Sequence, residues 1–204
     1  MMIDKKIQVR SIEVQDVDSI VEIHLKSFEG FFLTFMGQKF LKVLYQSICK
    51  DPTGIGFLVE VENKTAGFVI GTSHLPGLYS RLLKKNILDF GLASISSIFK
   101  KPSIIIHLLR TFAFTKQQNS TEELATLMSI AINPQFQGNN IGAILVNEFL
   151  KCASERECKI VNLNTDAKNN DKANHFYQKL GFSLHQTFTT PEGRMMNEYR
   201  VNIQ

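Results

Sequence analysis

Two stretches of the chain hold residue types and spacings that can do chemistry. The first is Gln137-Gly138-Asn139-Asn140-Ile141-Gly142, which follows the apolar run Leu127-Met128-Ser129-Ile130-Ala131-Ile132 and a break at Asn133-Pro134-Gln135-Phe136. The pattern is strand, turn, helix. The first N–H groups of a helix have no partner inside it, so they form an anion site. Glycines there let backbone approach a pyrophosphate closely. One such contact contributes about 0.3–1 kcal/mol when exposed and up to ~2 kcal/mol when partly buried. An ordinary strand–helix turn with two glycines would use the same residues, and this stretch alone leaves both readings open. The second stretch runs from Asn170 to Phe182 and offers an amide at Asn170 and a phenol at Tyr177. A phenol can give a proton to a leaving group, or simply pack with its hydroxyl at the surface. Asn170 can bind a ligand or cap its helix, a task Asp171 could also do.

Other reactive side chains point to less. Leu127–Ile132 contains no carboxylate, so no general base is evident; Glu122 and Glu123 precede the strand and are the nearest candidates, although such a pair is more often solvated. His24, His74, His107, His175 and His185 have no metal-ligand spacing, and His74 and His107 could line an acceptor pocket. Cys49, Cys152 and Cys158 form no CxxC pair. No disulfide framework or zinc site is expected, and a reducing compartment fits.

The elements that must position these groups follow from periodicity and turn residues. Ile7–Arg10 reads as a first strand. A helix follows through Gln15-Asp16, with Val17, Ile20, Val21, Ile23, His24 and Phe28 on its apolar side, and a second runs from about Gln38 to Cys49. Asp51-Pro52-Thr53-Gly54 ends it. Ile55–Val61 and Ala66–Ile70 form a hairpin around Glu62-Asn63-Lys64. Leu78–Phe114 is apolar, Ser-rich, basic and helical in period, and Pro102 starts its last helix, to about Thr111. Then come a buried strand at Leu124–Ile132, a helix at Ile141–Ala153, a strand at Ile160–Leu163, and a helix at Asp171–Leu180 closed by Gly181. Phe182–Phe188 and Met195–Val201 make a closing hairpin around Pro191-Glu192-Gly193.

Length and composition frame these elements. With 204 residues, 44% of them apolar, one domain over 1–204 is expected. Its core is expected to rest on Phe, because the chain has 16 Phe, 4 Tyr and no Trp. Formal net charge is +4, and Thr72–Ser120 carries Arg81, Lys84, Lys85, Lys100, Lys101, Arg110 and Lys116 against only Asp89. The polar start does not read as a secretory signal, and no run approaches the roughly 20 apolar residues that span a bilayer. A cytoplasmic protein is expected. The charge balance and motifs give no reason to expect nucleic-acid binding.

Taken together, the two stretches resemble the GNAT superfamily of acyl-CoA transferases. Gln137–Gly142 looks like its pyrophosphate loop, in which Gln or Arg is followed by two residues, Gly, one residue, and Gly or Ala. Asn170-Asp171-Lys172-Ala173-Asn174-His175-Phe176-Tyr177-Gln178-Lys179-Leu180-Gly181-Phe182 looks like its N…A..FY.KLGF segment. The match covers about Leu127 to Phe182, and Ile7 to Phe28 also fits. Asn140 departs from the pattern by replacing the loop's central glycine. Asn tolerates left-handed backbone better than most residues, but its side chain crowds the place where a phosphate should approach.

The resemblance implies an α/β (α+β) fold: a mixed, largely antiparallel sheet splayed at its centre between Leu127–Ile132 and Ile160–Leu163, flanked by helices, with a basic, mostly helical insert at about 72–120 between the third and fourth strands. It implies acetyl-CoA as acyl donor and no metal. The pantetheine arm would pair with backbone at Ile130, Ala131 and Ile132, and the pyrophosphate would sit on Gln137, Gly138, Asn139, Asn140, Ile141, Gly142 and Ala143. Asn170 would contact the arm, and Tyr177 would serve as the acid near the sulfur. The implied activity is acetyl transfer to a primary amine by direct attack in a ternary complex. The acceptor is expected to be a small anionic amine such as an amino sugar nucleotide, met by the basic insert. The alternatives are a protein N-terminus or lysine as acceptor, and a degenerate acyl-CoA-binding sensor or scaffold. Peripheral membrane contact through the insert, and a monomer or homodimer, complete the expectations.

Overall fold

Strands form where β-branched and aromatic residues alternate or run continuously between turn residues, and helices where apolar residues recur every third or fourth position. The computed structural model describes residues 7–100, 123–191 and 193–203. Its strands are β1 (Ile7–Ser11), β2 (Gly54–Val61), β3 (Lys64–Thr72), β4 (Leu124–Ile132), β5 (Ile160–Asp166), β6 (Ser183–Thr189) and β7 (Met195–Asn202). Its helices are α1 (Val17–Ser27), α2 (Phe32–Lys50), α3 (Leu78–Lys85), α4 (Ile87–Lys100), α5 (Ile141–Glu155) and α6 (Asp171–Lys179). The strands make one sheet in the order β1-β2-β3-β4-β5-β7-β6. Neighbours are antiparallel except β4 and β5, which are parallel. The expected mixed, largely antiparallel sheet flanked by helices is the architecture observed.

Both faces are covered, so β3 is buried without interruption from Ala66 to Thr72. On one face α1 and α2 lay Ile20, Val21, Leu41, Tyr45 and Ile48 over Leu58, Phe68 and Ile70. α4 joins this layer through Phe90, whose ring centroid is 5.4 Å from that of Phe40. On the other face α5 lays Leu145, Val146 and Phe149 over Val59, Val69, Ala125 and Val161. Burying one such side chain contributes about 1.5–3 kcal/mol.

The centre of the sheet is where regularity ends. β4 and β5 pair from Leu124 opposite Ile160 to Leu127 opposite Leu163, and no further. Each strand then continues with its outer partner alone. β4 stays on β3 to Ile132, and β5 stays on β7 to Asp166. At the same level β4 carries a bulge: Ile70 faces Ser129 and Gly71 faces Leu127, leaving Met128 as the extra residue. A bulge bends its strand and increases the local twist. Gly71 makes the approach close enough. A Cβ there would lie 2.1 Å from the Thr126 carbonyl oxygen and 2.8 Å from the Phe149 ring.

Two boundaries differ from expectation. α2 starts at Phe32 rather than about Gln38, because two helical pieces join across Gly37, whose φ of 83° no other residue adopts readily. β5 extends past Leu163 through Asn164-Thr165-Asp166. Of the segment between β3 and β4, α3 and α4 are helical as expected, while 101–122, including the helix expected from Pro102, lie outside the described residues. One of the segment's cations is committed to the fold. Arg81 Nε and Nη2 donate to the Asp51 carboxylate at 3.2 and 3.3 Å, Nη2 also to Thr53 Oγ1 at 3.0 Å, and Nη1 to the Pro76 carbonyl at 3.1 Å. Burial works against the charged Asp51 carboxyl, but Arg81 and Thr53 outweigh it and hold the group below the usual carboxylate range.

Gly71→Ala must displace either the Thr126 carbonyl or the Phe149 ring. Overpacking of this kind costs about 1–3 kcal/mol, which urea unfolding should read as a lower midpoint at unchanged slope. A midpoint equal to the wild type would mean that the β3–β4 approach is looser than described.

Candidate active site

Past Leu127 and Leu163 the facing edges of β4 and β5 have lost each other's hydrogen bonds, and a cavity of about 520 Å³ occupies the gap. β4 contributes Leu127–Ile130 to its wall and β5 contributes Leu163–Asp166. α6 adds Ala173 and Tyr177, preceded by Asn170, and α1 adds His24, Ser27 and Phe28. Of the residues expected at the site, Ile130, Asn170 and Tyr177 therefore share one cavity. Ala131 is buried in the α1–α2 layer, and Ile132 packs with the α5 layer.

The loop from Gln137 to Asn140 is exposed. Asn133 accepts from the Gln135 N–H at 3.2 Å and caps the short 3-10 turn Pro134–Phe136, and the Asn139 amide donates to the Phe136 carbonyl at 3.1 Å. Gly138 and Asn140 are left-handed, with φ of 84° and 58°. Asn140 thus takes the backbone expected of it. Its side chain does not cap α5. The bond from Ile144 N–H to the Asn140 carbonyl, 3.2 Å, starts the helical pattern, so the N–H groups of Ile141, Gly142 and Ala143 precede it. Gly142 serves a packing need: a Cβ would meet the Phe176 ring at 3.1 and 3.3 Å. That contact seats the start of α5 on α6, one residue from Tyr177.

Asn170 does not cap α6 with its side chain. It donates instead to Thr165 Oγ1 at 2.6 Å, on the cavity wall. Tyr177 is 7% exposed and packs edge-on to Phe176 and Phe182. Burial pushes its phenol up to about 12, so it keeps its proton at neutral pH. At the β7 end, Arg194 Nη2 donates to both oxygens of Asp166 at 2.8 Å, and its guanidinium lies 5.0 Å from the Phe31 ring centroid.

One group at the cavity was not expected. His24 is 2% exposed and lines the cavity; its Nδ1 is 2.6 Å from the Tyr45 hydroxyl, and its Nε2 is buried with no hydrogen-bond partner among the described residues. Burial pushes the imidazole down to about 4. His24 reads from sequence as a member of an apolar helix face, and Tyr45 falls within the helix expected from about Gln38 to Cys49. A polar side chain on such a face is the only signal that was available. The candidate base Glu123 lies elsewhere. It precedes the paired, closed end of β4 and is exposed, 2.7 Å from Lys159 Nζ; Glu122 lies outside the described residues. His74, His175 and His185 are exposed and away from the cavity wall, and His107 lies outside the described residues. Among the described residues no cluster of three His, Cys, Asp or Glu could hold a metal ion.

Comparison with known proteins agrees with this fold. The family model described as the Acetyltransferase (GNAT) family matches residues 17–182. An uncharacterized N-acetyltransferase of Methanocaldococcus jannaschii is 24% identical over 179 residues, which are 87% of this chain; the chain spans 61% of that relative's length. The ribosomal-protein alanine N-acetyltransferase of Escherichia coli has a TM-score of 0.62 at 16% identity, covering 98% of this chain and 95% of that one. A PaiA N-acetyltransferase of Thermoplasma acidophilum, solved in complex with coenzyme A, has a TM-score of 0.58 at 12% identity, covering 96% and 99%. The two structures share the fold of this chain.

The state of His24 has a measurable effect on stability. The folded chain leaves it neutral down to about pH 4, while the unfolded chain protonates it below about pH 6.5. The unfolded state therefore binds more protons between these values, and stability is lost as pH falls through that window. At 1.36 kcal/mol per pKa step the loss approaches about 3 kcal/mol. Urea midpoints at about pH 7 and about pH 4.5 should drop less for His24→Gln than for the wild type. The same drop in both would mean that the imidazole is hydrated in the folded chain.

Proposed function

The chain belongs to the GNAT acetyltransferase family, and on that footing we propose that it moves an acetyl group from acetyl-CoA to a primary amine by direct attack in a ternary complex. One observation carries this function. The unpaired edges of β4 and β5 open onto a cavity that also holds Tyr177, and α6 ties that cavity to the anion-type loop through the Gly142–Phe176 contact.

In this proposal the diphosphate lies on Gln137–Ala143, where N–H groups precede the first helical bond. Its charge favours the positive end of α5. The pantetheine arm runs along Ile130–Ile132 and uses backbone groups that the parallel ladder no longer occupies; Asn170 contacts it. A neutral amine attacks the thioester carbonyl carbon. N–H groups on the free β4 edge stabilise the oxyanion, a contribution that preorganised donors make best in a cavity of low dielectric. The C–S bond then breaks, and the Tyr177 hydroxyl gives its proton to the departing thiolate.

The acceptor class we favour is a small anionic amine such as an amino sugar nucleotide. The support is the basic character of 72–120. Among its described residues Arg81 is engaged with Asp51, while Lys84 and Lys85 are exposed on α3. No described residue of this segment lines the cavity, so these lysines would meet the part of the acceptor remote from its amine. A degenerate acyl-CoA-binding module is disfavoured because Tyr177 and Asn170 are retained and share the cavity. No helix among the described residues is long and apolar enough to cross a membrane.

Thiol release from acetyl-CoA with a panel of amino sugars, polyamines and peptides tests the activity. Tyr177→Phe keeps the ring and removes the donor. Its kcat should fall by about 10²–10⁴-fold, or roughly 3–5 kcal/mol of barrier, with acetyl-CoA affinity retained; near-normal turnover would leave Tyr177 a packing residue. Binding is tested separately at Gly138, where an added Cβ meets nothing within 4 Å and the left-handed backbone, φ 84°, is one that Asp tolerates better than most residues. Gly138→Asp sets a negative charge against the diphosphate and should weaken acetyl-CoA by at least about tenfold, some 1.4 kcal/mol. Unchanged calorimetric affinity would move the diphosphate off this loop.

A further inference from the structure

The proposed reaction leaves one proton without a destination. The amine that attacks must lose a hydrogen, β4 offers no carboxylate, and Glu123 sits at the closed end of the strand. Asp166, the carboxylate on the cavity wall, is held bidentately by Arg194. His24 is different: it is a buried imidazole on the same wall, anchored at one nitrogen and unpartnered at the other. A buried polar atom without a partner is uncommon and costly, and here it belongs to a residue of the cavity in which the proposed chemistry needs a hydrogen acceptor.

We infer that His24 Nε2 takes the proton of the attacking amine, with Tyr45 fixing the imidazole so that Nδ1 carries its hydrogen and Nε2 is bare. This rests on the acetyl transfer proposed above. The Tyr45 hydroxyl, 2.6 Å from Nδ1, is buried, and burial keeps its phenol neutral well above the usual tyrosine range. As a hydrogen-bond acceptor for Nδ1–H it leaves its own hydrogen for Ser129, which stands beside it. The ring is further held against Phe28, with centroids 4.6 Å apart.

The steps balance. The amine nitrogen bonds to the thioester carbonyl carbon and its proton passes to Nε2, giving an imidazolium. The C–S bond breaks and the thiolate takes the Tyr177 proton, leaving a phenolate. Both residues line one cavity, and after the products leave, the proton returns from Nε2 to the Tyr177 oxygen. A buried imidazole alone is a weak base, since burial disfavours its cation. It becomes competent only when negative charge develops on the carbonyl oxygen and then on sulfur and phenol nearby. Proton uptake is thereby coupled to bond formation, and the resting imidazole stays neutral and ready to accept.

Nitrogen-15 NMR of the full chain at neutral pH reads the tautomer directly. The expected result is a neutral His24 with the proton on Nδ1 and a bare Nε2; a proton on Nε2 overturns the assignment. With acetyl-CoA and whichever amine of a hexosamine, spermidine or unblocked tripeptide is turned over, His24→Ala should lose about 10²–10⁴-fold in kcat/KM while calorimetry shows unchanged acetyl-CoA affinity. Added imidazole should restore part of the rate, which it would not do for a packing residue. Tyr45→Phe keeps the core shape and should lose a smaller factor, so the test survives if His24→Ala fails to fold. Wild-type rates in a folded His24→Ala, or a loss that imidazole leaves untouched while Tyr45→Phe is fully active, overturn the inference. A wild-type chain that does not bind acetyl-CoA overturns the acetyl-transfer function itself, whereas normal binding with an Nε2–H tautomer removes only the role of His24.

Discussion

Buried backbone N–H and C=O groups must be paired, and adjacent strands normally satisfy this along their whole length. Here two parallel strands at the centre of a seven-stranded sheet give up each other after Leu127 and Leu163. Most other features of the site are answers to that break. The bulge at Met128 bends β4 at the level where pairing stops. α1 and α6 supply the side chains that wall the gap, and the Asp166–Arg194 pair closes it beside Phe31. The parallel ladder that remains, four residue pairs long, is backed by α5 through Ala125, Leu127, Val161 and Leu163.

Polar and apolar side chains together line the gap, and burial in it sets the behaviour of its two titratable rings. Tyr177 and His24 are both desolvated. For the phenol this favours holding the proton, and for the imidazole it favours doing without one. Two groups in one cavity are pushed apart in the direction that makes one a donor and the other an acceptor at neutral pH. The same burial makes each a stability liability when the wrong form is imposed.

Much of the architecture was legible from period and punctuation. The hairpin at Glu62-Asn63-Lys64, the strand before Asn133-Pro134, and the helix ended by Gly181 follow from turn residues and apolar spacing, and the loop and the Asn170–Phe182 stretch carried the family resemblance. What was not legible is non-local. Asn164-Thr165-Asp166 is polar and reads as loop, yet it is strand because β7 pairs with it and the cavity accepts its side chains. His24 and Tyr45 lie on different helices, and nothing in either helix's period says that they meet. Glu123 looks close to the site in sequence, but strand direction places it at the opposite end of β4. Gly37 interrupts the helical pattern and hid the first turn of α2.

The contact between Gly142 and Phe176 couples two elements that sequence reading treats as separate motifs. The space at this point is a shared volume, and neither residue can be chosen without the other. Along a lineage of such chains, a methyl group gained at position 142 would require the ring at position 176 to give by a few tenths of an ångström, next to Tyr177. The two positions form one unit of packing, and change at either is restrained by the other.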